Sequence, residues 1–144
     1  RDFCLSRGLG DVYKRQNKEC AGVNIRNHIR RNHMKISFDT IAESAIENFK
    51  GGEGTFHVHM FQDMNNKIMK GRLVPGSSIG THTHETNSEI IYVLSGVGTM
   101  EYEDTKEKLY PGDCHYCPQG ATHSLSNEGS EDLIFFAVVP EHEH

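Results

Sequence analysis

The sequence predicts an all-β domain, a sandwich or barrel of around nine short strands, and three observations carry that expectation. Short apolar or alternating runs follow one another from Met34 onward. Turn-forming residues separate most of them. No apolar period is long enough to supply the helices of a parallel sheet.

In chain order, Ile36 and Phe38 alternate with polar neighbours, and the stretch from Asp39 to Phe49 reads as a short helix or irregular cover. After Gly51-Gly52 the strand candidates are residues 55–61, 67–74, 78–84, 89–94, 98–102, 106–110, 114–117, 123–126 and 133–139. Asn65-Asn66, Pro75-Gly76, Gly96, Pro111-Gly112-Asp113, Pro118-Gln119-Gly120 and Asn127-Glu128-Gly129 supply the turns between them. Phe56, Phe61, Ile91, Val93, Leu125, Phe135 and Ala137 are the candidates for the core.

The chain has 144 residues, of which 35% are hydrophobic, and no run of 18 apolar ones, which fits one globular domain and no membrane span. Charge divides it. Residues 1–33 hold eight Lys/Arg against three acids, and the remaining 111 hold seven against seventeen. The basic stretch has no hydrophobic periodicity and the remainder is strongly acidic, so nucleic-acid binding is disfavoured. The run from Cys4 to Gln16 looks like translated adapter sequence, and Met34 reads as the true start. Residues 1–33 are therefore expected to be a non-native or disordered extension, with the single functional domain at 34–144. Four cysteines at these positions do not form a disulfide framework, and the default compartment is the reducing cytosol.

The chemistry concentrates in Thr81-His82-Thr83-His84-Glu85-Thr86-Asn87-Ser88-Glu89. Side chains alternate along a strand, so His82 and His84 share one face. A turn through residues 85–88 lets the next strand run back beside the first and brings Glu89 alongside. Two borderline imidazoles and a hard carboxylate around one point suit a first-row divalent ion.

A longer frame encloses these residues. Gly76 precedes His82 by six positions, Glu89 follows His84 by five, and Gly96 follows Glu89 by seven. Downstream, Gly112, Pro118-Gln119-Gly120, His123 and Asn127 form a second spaced set. The two patterns resemble both halves of the cupin signature at every fixed position. That resemblance implies a small cupin jelly-roll β-barrel with one metal ion near its middle, held by His82, His84, Glu89 and His123. It favours manganese or iron, while nickel, copper and zinc accept the same donors. An octahedral ion in such a set would keep two adjacent positions for water, dioxygen or a bidentate substrate. Ligation needs neutral imidazoles, so metal should be lost below roughly pH 6.

Other residues invite weaker readings. Cys114-His115-Tyr116-Cys117 matches C-x-x-C, but residues three apart on a strand face opposite sides, which argues against zinc or redox chemistry. His115 and Cys117 are expected in the barrel interior, where His115 could orient a ligand or substrate. Arg72 could point inward to anchor an anion or sit on the sheet exterior. His57 and His59 read as one polar face of an edge strand, and His142 and His144 as part of a fraying end. Tyr92 should face outward, toward solvent or a subunit contact.

Two functions compete at this stage: a metalloenzyme acting on a small polar metabolite, with dioxygenase chemistry ahead of isomerase, epimerase or decarboxylase, and a binding protein without turnover. A homodimer is expected, with residues 55–61 or 36–38 exchanged between subunits.

Overall fold

The structure is a computed structural model and describes residues 35–142, so the expectations for residues 1–33 and for His144 lie outside it. Ten strands follow in order: β1 (Ser44–Glu47), β2 (Thr55–Gln62), β3 (Asn66–Leu73), β4 (Ser78–Thr83), β5 (Glu89–Ser95), β6 (Gly98–Tyr102), β7 (Thr105–Leu109), β8 (Cys114–Cys117), β9 (Thr122–Ser126) and β10 (Leu133–Pro140). They form a six-stranded sheet, ordered β1-β2-β3-β10-β5-β8, and a four-stranded sheet, ordered β4-β9-β6-β7, with every pairing antiparallel. The fold is a jelly-roll barrel, as the cupin resemblance implies. No helix among the described residues is long and apolar enough to cross a membrane.

Period-two burial builds the core between the sheets. In β10, Leu133, Phe135, Ala137 and Val139 are buried while their neighbours are not, and β3, β5 and β9 repeat the alternation. Phe56 and Phe135 stack with ring centroids 6.0 Å apart. A side chain at Gly71 would collide with both rings, so glycine there makes room for two aromatic residues. Burying an aromatic ring of this size contributes about 2–3 kcal/mol. Asn127, 1% exposed, donates to the carbonyls of Leu73 and Glu131 at 2.8 Å each and accepts from the Gly129 N–H at 3.0 Å, stapling the end of β3 to the β9–β10 turn.

Three expectations need correction. The segment after Asp39 is not helical: a 3-10 turn covers Phe38–Thr40, and β1 adds an edge strand whose apolar residues are Ala45 and Ile46. Consequently β2 lies between β1 and β3 and is not an edge. Phe61 is only half-buried, because it shares parity with His57 and His59 on the outer face, not with Phe56 and Val58.

Candidate metal centre

The two sheets bring four side chains to one point. In the β4–β9 ladder His82 lies directly opposite His123. The register shifts between Ile79 and His82, and this irregularity changes the alternation so that both residues face the cavity despite being three apart. His84 stands one residue beyond β4, where its N–H donates to the Ala121 carbonyl at 3.1 Å and its carbonyl accepts from the Gly120 N–H at 2.7 Å. Glu89 opens β5 in the other sheet. It therefore reaches the histidines across the barrel, and not from a strand running back beside β4 as the sequence pattern suggested.

The three imidazoles form a nearly regular triangle, with ring centroids 4.9, 4.8 and 4.9 Å apart. Glu89 Oε2 lies 2.9 Å from His123 Nε2 and 3.3 Å from His84 Nε2, and those two nitrogens are 3.0 Å apart. Each Nδ1 has its own partner. His82 Nδ1 donates to the Gly80 carbonyl at 2.9 Å, His84 Nδ1 to Asn87 Oδ1 at 2.6 Å, and His123 Nδ1 meets His115 Nε2 at 3.2 Å. Occupied Nδ1 atoms leave the Nε2 atoms as donors toward the centre. One donor atom from each of His82, His84, Glu89 and His123 lies within 4.8 Å of all the others. A first-row ion with bonds of about 2.0–2.2 Å fits inside such a set, because ligands on opposite sides of it stand about twice that distance apart. The residues present fit the group.

Electrostatics agree with the geometry. Burial acts to raise the Glu89 pKa, but hydrogen bonds from His123 and His84 prevail and hold it at about 2, so the centre keeps an anion. At His84 burial works against a proton, yet the bonds to Glu89 and Asn87 outweigh it and raise the pKa. His82 is lowered, chiefly by burial. His115 is pushed down to about 4 by burial and by His123, which keeps it neutral.

His115 and Cys117 both point inward and are buried, with 6% and 0% exposure, whereas Cys114 is exposed. With His123 they form a second group of close donor atoms. Burial, followed by Glu89 and Glu103, pushes the Cys117 thiol up to about 11, and His123 is shared with the larger cluster, so the His82–His84–Glu89–His123 set is the better cation site. Arg72 requires correction as a pocket residue. Its neighbours Gly71 and Leu73 face the core, so it faces outward and pairs with Glu43 and Asp132, each at 3.3 Å. His57 and His59 lie on that same outer face beside Glu43, at 3.0 and 3.7 Å. His142 is tied down, contrary to the expected fraying, with Nε2 2.9 Å from Ser88 Oγ and its N–H on the Thr86 carbonyl.

A cavity of about 640 Å³ opens onto His82, His84 and Glu89. Phe56, Val58, Met69 and Val139 give it apolar walls, while Lys50, Lys67, Glu85, Thr86 and Asn87 supply polar lining. Sequence reasoning missed Lys50 and Lys67. The Gly51-Gly52 pair next to Lys50 was the available signal that the chain turns there.

A double-sheeted jelly roll with a three-histidine, one-carboxylate cluster at its inner end defines a class of small barrel proteins. A family model described as "Cupin domain" matches residues 69–139, and this chain belongs to the cupin family. An oxalate-binding protein from Thermotoga maritima is 34% identical over 112 residues, which cover 74% of this chain and 93% of the relative. The crystal structure of a predicted oxalate decarboxylase from Thermotoga maritima superposes with a TM-score of 0.71 at 30% identity, covering 75% of this chain and 99% of that one. A germin-like protein from Morus alba is 34% identical over 71 residues, which cover 46% of this chain and 34% of the relative.

Proposed function

We propose that this chain is a metal-dependent cupin that captures short carboxylic acids such as oxalate at a divalent ion held by His82, His84, Glu89 and His123. The convergence of three Nε2 atoms and Glu89 Oε2 at the inner end of a cavity carries this reading. The 34% identical oxalate-binding relative supports it. Manganese or iron is our proposed ion, a choice drawn from the family resemblance. When bound, the ion supplies positive charge for carboxylate oxygens.

The chain's own residues do the rest. Glu89 stays ionised and attracts the cation, while the Gly80 carbonyl and Asn87 fix the rings of His82 and His84. Neutral His115 accepts from His123 Nδ1–H, which fixes the tautomer that offers Nε2 to the centre. The apolar walls lower the local dielectric and strengthen the pairing of an anion with the centre. We take residues 34–144 as the functional unit and the cytosol as its compartment. Ile90, Tyr92, Leu94 and Tyr116, 39–57% exposed on the outer face of β5 and β8, support a homodimer through that face. The expected exchange of residues 55–61 does not suit an interior strand.

Turnover is a second reading, favoured by the likeness to a protein named a predicted oxalate decarboxylase. Oxidation by dioxygen rests on the donor set alone. Tag-free protein loaded with manganese(II) or iron(II) and titrated with oxalate in a calorimeter tests the capture reading. Binding heat with oxalate recovered intact is the expected result, and release of carbon dioxide would favour turnover. Absence of binding in every metal form would overturn both.

A further inference from the structure

Lys50 is the unusual residue at the cavity. It occupies the left-handed region, with φ 57° and ψ 27°, where a non-glycine residue costs about 1–2 kcal/mol. Asn48 is also left-handed, at φ 51°, a conformation asparagine tolerates, so two left-handed residues shape one short turn. That turn is clamped to β4. The Lys50 carbonyl lies against Gly80, where a side chain would overlap it, and Gly52 is equally tight against the Ser78 carbonyl. Gly80 also receives the His82 hydrogen bond, so the turn that carries Lys50 and the strand that carries His82 are set against each other.

The Lys50 side chain lines the cavity, with its ammonium 5.8 Å above the centroid of the Phe49 ring, which itself packs against Phe56. Among the described residues it makes no hydrogen bond or ion pair. The other lysine at the cavity, Lys67, stands 3.9 Å from Glu141 and so faces an anion already. Lys50 shares its cavity with His82 and His84. A glycine would adopt this backbone conformation without strain. Strain retained at a cavity wall is a pointer to use.

We propose that Lys50 is the anion anchor of this cavity, pairing with one carboxylate of a short dicarboxylic acid whose other carboxylate faces His82, His84, Glu89 and His123. The inference rests on the capture reading and narrows it, since it makes the site selective for dicarboxylates over monoacids. An ammonium without a competing anion on the cavity wall adds a charge-assisted hydrogen bond that only a second carboxylate can accept.

The test uses metal-loaded full-length protein, with oxalate, malonate and acetate as probes, and compares wild type with Lys50→Gly, Lys50→Arg and Lys67→Met. Metal content and melting temperature are measured in parallel. Lys50→Gly is expected to keep its metal and melt no lower than wild type, because glycine relieves the strain, yet to bind oxalate and malonate about tenfold or more weakly. Lys50→Arg should retain most of the affinity, and acetate binding should change less than about twofold in any variant. Dicarboxylate binding by Lys50→Gly within about twofold of wild type overturns the anchor while leaving capture intact, as does a loss confined to Lys67→Met. Metal-loaded wild type that binds neither dicarboxylate overturns the capture reading, and the anchor with it.

Discussion

Two His-x-His pairs, His57-Val58-His59 within β2 and His82-Thr83-His84 at the end of β4, have different fates. Both pairs put two imidazoles on one side of the backbone. The first faces outward from the six-stranded sheet, where Glu43 bridges the two rings and His59 Nδ1 meets the Ile41 carbonyl at 2.7 Å. The second faces the barrel interior, opposite His123 and across from Glu89. Glu43 is an exposed carboxylate shared with Arg72, whereas Glu89 is 8% exposed and surrounded by imidazoles. Spacing along one strand gathers two donors. What distinguishes the pairs is the contribution of two further donors from other strands and the exclusion of water.

Deleting one member of each pair should give the largest contrast. His84→Ala is expected to lower metal affinity by more than about a hundredfold, beyond the 10–100-fold typical for loss of an outer partner, while His57→Ala leaves metal content unchanged. Metal analysis of tag-free protein after dialysis reads this directly, and equal depletion by both variants would remove the distinction drawn above. A smaller effect sharpens the role of the Nδ1 partners. His115→Phe should weaken metal binding by about 10–100-fold, with partial recovery in His115→Gln, whose side-chain oxygen can accept from His123. Competition with a chelator gives the affinities, and an unchanged value in the Phe variant would reduce His115 to a packing residue.

The smallest expected effect is on the pH dependence of the metal-free protein. His115 is held near 4 in the folded state against an ordinary 6.5, so the unfolded chain takes up that proton first and stability falls as pH drops from 6.5 toward 4. Glu89 is held near 2 against 4.5, so its contribution is complete above 4.5 and fades as pH falls toward 2. His84 runs the other way, favouring the folded state most below 6.5 and losing that contribution as pH rises through its raised value. Denaturant titrations between about pH 7 and 4 should show a fall of roughly 1–2 kcal/mol that His115→Phe reduces. The surface pair should add nothing comparable, because solvent screens an exposed ion pair such as His57–Glu43.

The two pairs also mark what was legible in the sequence. The turn glycines, the alternation in β5 and β10 and the His82–His84–Glu89 stretch were readable from local chemistry, whereas His123 was reached only through the cupin resemblance. The route by which Glu89 arrives was not readable, since nothing local says that β5 joins the opposite sheet. β1 escaped notice because a four-residue edge strand whose two apolar residues, Ala45 and Ile46, are adjacent has no period to detect. Arg72 was recoverable from its opposite parity to Leu73, and Phe61 from its opposite parity to Phe56. Lys50 was not, because a left-handed lysine has no compositional signature beyond the glycines that follow it.

Asn87, the hydrogen-bond partner of His84, also donates to Glu141 at 3.1 Å, and the next residue's N–H holds the Thr86 carbonyl. The segment after β10 is thus wired to the loop carrying one of the three clustered imidazoles. Trimming the chain back to Pro140, or crowding this end with a purification handle, would slacken a ring that sits well inside the barrel.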